Sequence, residues 1–169
     1  LAQAIDRKAI LSFLGGTQVI AGSFVPDGLL SHDSKLFLPF DPAAAKASLA
    51  KSGFKAGQSL TLMVRNAERS KLVAQMVQAD LKKNLGIDLK IQIYDHKVFM
   101  TMLTQENHPM ILMTWGADYP DPDTFLSLLE SNVGNNRTYY ANPAYDALIV
   151  KARHSINSKE RAKLYKEAQ

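Results

Sequence analysis

The sequence predicts an α/β protein, with a mixed sheet flanked by helices. Three observations carry this. First, Leu60, Leu62 and Val64 alternate with Thr61, Met63 and Arg65. Ile87, Leu89, Ile91 and Ile93 likewise alternate with Asp88, Lys90, Gln92 and Tyr94, so both stretches have strand periodicity. Second, Leu72, Val73, Met76, Val77, Leu81 and Leu85 lie between them at helical spacing. Third, residues 110–114 form a short apolar run, as expected of a strand covered on both faces. Strands that alternate with helices make a layered sheet with at least partly parallel strands.

The elements follow in order. Leu1, Ile5, Ala9 and Phe13 recur every four residues, with Ile10 and Leu14 beside them, which predicts one apolar helix face. Gly15-Gly16 stops that helix. No Gly-Lys pattern follows to make the pair a phosphate loop, so it reads as a C-cap. Residues 17–40 show no periodicity and are punctuated by Gly22, Pro26, Gly28 and Pro39. A loop of that length is usually functional or held against another domain. Asp41-Pro42 opens the next helix as N-cap and N1, and Gly53 closes it. Gly86 ends the long helix, with Lys82 and Lys83 in its last turn. Val98, Phe99, Met102 and Leu103 give a short helix before the apolar run. Asp121-Pro122 predicts a further helix start, with Phe125, Leu126, Leu128 and Leu129 on its face. Asn142-Pro143 starts another helix, and Asn157 with Glu160 suggests a capping box for the last one.

Composition narrows the function classes. The 169 residues are 46% hydrophobic and 21% charged, ordinary values for a packed domain. Cysteine is absent, which excludes disulfides, thiolate metal sites and a cysteine nucleophile. No apolar run approaches the roughly 20 residues of a membrane span. The chain opens without Met inside a helical pattern and ends inside another, so it reads as a piece of a longer protein. Residues 151–169 hold six Lys/Arg against two Glu, the whole of the net +4. Without interleaved aromatics or a binding motif, this is a solvated helix face and not a nucleic-acid surface.

The candidate site lies between the apolar run and its following helix, in Trp115, Gly116, Ala117, Asp118, Tyr119, Pro120, Asp121, Pro122 and Asp123. Asp121 is explained as a cap, and Asp123 by the favourable first helical turn. Asp118 has no helix start beside it. It follows the carboxyl end of a strand, where open α/β sheets place ligands. It either caps a local turn or offers a carboxylate to a cationic ligand group. Trp115, the sole tryptophan, is either a core filler or a pocket wall, and its place at the strand exit favours the wall. Arg65 and Arg69 flank the loop after the first strand. A planar guanidinium there suits a ligand carboxylate, although the default for each is a solvent-facing cation. The acidic cluster lacks the ligand series and distal Glu of a calcium loop. His32, His96, His108 and His154 show no ligand spacing, and no Gly-x-Ser-x-Gly elbow exists. No metal, cofactor or catalytic residue is therefore expected.

The nine residues 115–123, followed by Phe125-Leu126, resemble a hallmark of the solute-binding proteins of peptide ABC importers. Ala4-Ile5-Asp6-Arg7 with Ile10 matches as well. So do Phe40-Asp41-Pro42 with Ala45-Lys46, Leu49 and Gly53-Phe54, and Tyr140 with Asn142-Pro143, Tyr145-Asp146 and Leu148-Ile149. The stretches keep the family's order along nearly the whole chain. The resemblance implies that residues 1–169 are a single α/β lobe of a two-lobed clamshell, from which the N-terminal lobe is missing. It implies capture of a peptide in the periplasm, or outside a Gram-positive cell, for delivery to permease subunits. It also implies that Asp118 pairs with the peptide's free α-amino group, with Trp115, Gly116, Ala117 and Tyr119 beside it. Relatives of this kind also take nickel chelates, haem, glutathione or sugars. A carboxylate-dependent hydrolase using Asp118 and Asp121 is the rival from another class.

Overall fold

The computed structural model describes residues 1–55, 57–104 and 110–169. These divide into two compact units. The first comprises residues 1–20 and 38–114, and the second residues 21–37 and 115–169.

The first unit is an α/β layer. Its elements are α1 (Arg7–Leu14), α2 (Pro42–Lys51), β1 (Ser59–Arg65), α3 (Glu68–Leu85), β2 (Asp88–Tyr94), α4 (His96–Met102) and β3 (Met110–Leu112). The strand order is β2-β1-β3, and both pairings are parallel, with Leu62 opposite Ile91 on one side and Met110 on the other. The expected sheet flanked by helices is therefore present, and its described strands are all parallel. As the middle strand, β1 is covered on both faces. Leu62 and Val64 pack with Ala74, Val77 and Leu81 of α3, while Met63 packs with Phe99 and Leu103. His108 lies outside the described residues.

Local signals fixed most boundaries. The Asp41 side chain accepts from the Ala44 N–H at 2.9 Å, with Pro42 at the first helical position. Gly86 adopts φ 70° at the end of α3, and the next amide, of Ile87, reaches back to the Leu81 carbonyl. Two expectations fail. The face 1, 5, 9, 13 is not the buried one. Asp6 breaks the pattern by capping α1 through the Ala9 N–H, so Ala4 and Ile10 are buried and Phe13 stays 63% exposed. The apolar run is also a shorter strand than expected, although both of its faces are packed, Met110 and Leu112 on the α3 side and Ile111 against Met63, Phe99 and Leu103. β3 ends at Leu112, all three of its residues are half-buried, and Met113 and Thr114 are exposed.

The second unit is helical. It holds α5 (Asp123–Leu126), a 3-10 turn over Ser127–Leu129, α6 (Pro143–His154) and α7 (Ser158–Ala168). Asn142 caps α6 through the amides of Ala144 and Tyr145, and Asn157 caps α7 through Lys159 and Glu160. Val25, Leu126, Tyr145, Ile149, Ala152, Leu164 and Tyr165 form its core. Residues 21–37 belong here because they are tied to α7 and its end. The Gln169 side chain accepts from the Val25 N–H and donates to the Ser31 carbonyl, and Lys166 pairs with Asp33 at 2.9 Å. The long loop is thus held against a unit remote from it in sequence.

Candidate functional site

The acidic turn divides into an exposed half and a buried half. Trp115, Gly116, Ala117, Asp118, Tyr119 and Pro120 are all exposed, Trp115 by 36% and Tyr119 by 45%. Pro122, Asp123 and Thr124 are buried. The Asp121 N–H donates to the Tyr119 carbonyl at 2.8 Å, closing a three-residue turn around Pro120. Helix α5 begins at Asp123, one residue later than the expected cap implied, and runs for only one turn. Asp121 still accepts from the Asp123 N–H at 2.9 Å. Counted from Asp121 this is the N2 amide, so the Asp-Pro signal marks the helix start to within one residue.

The main work of Asp121 and Asp123 is long-range, and capping does not explain it. Arg161 of α7 grips Asp121 with two guanidinium nitrogens, at 2.5 and 2.8 Å. Arg153 of α6 donates to Asp123 at 3.1 Å and to Glu130 at 2.7 Å. Tyr119 donates its hydroxyl to Asp123 at 2.8 Å, and the buried Tyr165 hydroxyl lies 3.4 Å from the same carboxylate. The basic terminal helices are therefore not merely a solvated face. Arg153, Arg161 and Lys166 each neutralise an acid of the same unit. The charge-assisted, bidentate Arg161–Asp121 pair is of the strong kind.

The network shifts its own members. The bond to Glu130 raises the pKa of Arg153, partial burial opposes the shift, and Asp123 reinforces it. Burial works against the charge on Arg161, but its bonds to Asp121 and Tyr165 prevail and raise the pKa. Burial pushes the Tyr165 phenol up to about 12, assisted by the negative charge of Asp123. Partial desolvation and the bond to Asp123 push Tyr119 up to about 12 as well.

Asp118 stands apart from this network. Its N–H donates to the Thr124 hydroxyl at 3.1 Å, and its carboxylate has no partner among the described residues. The local-cap reading fails, because the bond uses the main chain and not the side chain. Trp115 is no core filler within its unit. Gly116 has open space where a side chain would point. Arg65 is the last residue of β1 and Arg69 lies in the first turn of α3. Both are exposed members of the first unit and form no ion pair among the described residues. The structure thus gathers Trp115 through Tyr119 in one segment and sets the two arginines on the other unit. Sequence reasoning missed Thr124, Glu130, Arg153 and Arg161. The available signal was two arginines eight residues apart in the basic terminal helices, opposite in charge to the acidic turn. Among the described residues, no group of His, Asp and Glu is arranged to hold a metal ion. No described helix is long and apolar enough to cross a membrane.

Comparison with known proteins specifies the family to which this α/β fold and its acidic turn belong. Residues 1–137 match the family described as bacterial extracellular solute-binding proteins, family 5, middle region. The whole chain is 32% identical to di/tripeptide-binding protein 3 of Pseudomonas aeruginosa, of which it spans 33%. It is 31% identical to haem-binding protein A of Haemophilus influenzae, again over the whole chain and 32% of the relative. Among solved structures, the unliganded open form of the periplasmic murein tripeptide-binding protein MppA superimposes with a TM-score of 0.89 at 31% identity. That match covers 99% of this chain and 34% of MppA. The chain belongs to family 5 of the bacterial extracellular solute-binding proteins. It spans about a third of the length of the curated relatives it matches.

Proposed function

We propose that this chain is part of the solute-binding component of an ABC importer, and that its parent captures peptides by their free α-amino group. Residues 1–169 then belong to one lobe of a clamshell, and a lobe encoded outside these residues supplies the opposite wall. The carrying observation is Asp118. Its neighbours Asp121 and Asp123 are neutralised by Arg161 and Arg153, while its own carboxylate is exposed and has no partner among the described residues. Peptide-binding relatives support the ligand class. The process is reversible binding without chemistry, in the periplasm or at the outer face of a Gram-positive cell, followed by transfer to permease subunits.

Physics requires the second wall. An exposed carboxylate–ammonium contact contributes about 0–1 kcal/mol. The same pair at 4 Å gains about fourfold in Coulomb energy when the effective dielectric falls from bulk water to that of a protein surface. Asp118 therefore selects an amine only once water is excluded by closure. Trp115 and Tyr119 would line an apolar wall, and Gly116 and Ala117 would admit the peptide main chain.

The test is Asp118→Asn in the full-length protein. Its affinity for free-amine peptides should fall far more than for N-acetylated ones. Equal losses would remove Asp118 from this role. The haem-binding relative favours one second reading, a different solute in the same cleft. Mass spectrometry of what co-purifies with the full-length protein separates the two.

A further inference from the structure

Residues 115–118 lie outside any helix or strand, and their side chains are exposed. Among the described residues, one hydrogen bond reaches this segment, from the Asp118 N–H to the Thr124 hydroxyl. We propose that Thr124 is the positioning residue of the Asp118 site, setting the aim of the carboxylate through the Asp118 main chain. The proposal rests on the amine-binding reading given above.

The two ends of this bond differ in rigidity. Thr124 is 2% exposed and sits inside α5. Its neighbours on both sides are tied down. Asp123 is held by Arg153, and the Leu126 carbonyl accepts the Tyr145 hydroxyl at 2.5 Å. The β-branched side chain has few rotamers and is packed on all sides, so the direction of its oxygen is restricted. The exposed loop therefore hangs from a fixed point in the core. An amide at an exposed residue can turn to water if that acceptor is lost, so the fold depends little on the bond. The direction of the carboxylate depends on it much more. A site whose geometry is set before the ligand arrives avoids the ordering cost on binding. The Asp121 and Asp123 pairs hold the base of the loop, and Thr124 holds its tip.

The experiment compares Thr124→Val, which keeps the shape and removes the acceptor, with Thr124→Ser, which keeps the hydroxyl. Both are made in the full-length protein, with Asp118→Asn as reference. The probes are the dipeptide Met-Leu and N-acetyl-Met-Leu, measured by calorimetry. Met-Leu is the ligand held by a solved dipeptide-binding relative. Thr124→Val should weaken Met-Leu about five- to tenfold, the worth of one ordered hydrogen bond. It should leave N-acetyl-Met-Leu unchanged, and Thr124→Ser should restore wild-type affinity. In the unliganded protein, hydrogen exchange at the Asp118 amide should accelerate in Thr124→Val and not in Thr124→Ser.

Equal weakening of both peptides, no weakening, or an Asp118 amide that exchanges no faster would each overturn the positioning role. If Asp118→Asn discriminates between the peptides and Thr124→Val does not, the positioning role alone falls. If Asp118→Asn treats the peptides alike, or wild type binds neither, the amine-binding reading falls and this inference falls with it.

Discussion

Arg161 holds Asp121 through both terminal guanidinium nitrogens, across 40 residues of sequence. Both partners are mostly shielded from solvent, with side chains 25% and 19% exposed. Arg161 also donates to the Ala152 carbonyl and lies 5.2 Å from the centre of the Tyr165 ring. It joins the acidic turn, α6 and α7 at one point. Arg161→Ala should destabilise the second unit by about 1–3 kcal/mol, the range for a shielded charged hydrogen bond. Arg161→Lys should recover only part of this, because an ammonium cannot reproduce the planar fork. Urea unfolding, followed by tyrosine and tryptophan fluorescence, measures both. A loss no larger than that of an exposed pair would mean that this clamp contributes little.

The same network predicts an alkaline weakness. Tyr165 is fully buried, and its pKa is pushed up to about 12 from 10.0. A raised folded-state value means that the folded protein holds the proton more tightly than the unfolded chain. The associated stability is complete below pH 10 and is lost as the pH rises from about 10 to about 12. Wild type should therefore lose stability across this window more steeply than Tyr165→Phe, which has no phenol to ionise. Denaturation midpoints at stepped pH provide the comparison. Parallel slopes would show that Tyr165 ionises no later in the folded protein than in the unfolded chain.

What the sequence made visible was local. Alternation in β1 and β2 and the caps at Asp41, Gly86, Asn142 and Asn157 each depend on residues within one turn or one strand. The α/β class follows from them. Pairing across distance was not visible. Nothing near Asp123 announces Arg153, and nothing near Val25 announces Gln169. For the same reason a cap at Asp121 and a solvated face on the basic terminal helices describe only part of what these residues do. The first helix failed differently. Its four-residue period was real, but Asp6 is a better cap than a helix interior residue, so α1 starts only at Arg7 and buries Ile10, while Ala4 is buried in the turn before it. In the site, the exposed segment with Asp118 was legible because its charge had no local explanation. Thr124 was not, because a threonine in a short helix looks like filler until its hydroxyl is seen to hold the loop.

Gly116 offers a test that separates fold from recognition. Its φ lies outside the left-handed region, and an added Cβ would meet nothing within 4 Å among the described residues. Neither backbone conformation nor crowding in this chain therefore calls for glycine. Replacing such a glycine by alanine restricts the unfolded chain and stabilises by about 0.4–1 kcal/mol. A requirement for glycine would then come from a molecule lying close against the main chain, where a methyl group would intrude. Gly116→Ala should leave the full-length protein equally or slightly more stable in thermal unfolding. It should also weaken Met-Leu binding, because the peptide backbone can no longer approach residue 116. Unchanged affinity in a stabilised variant would place this glycine outside the ligand's reach and confine the contact surface to Trp115, Asp118 and Tyr119.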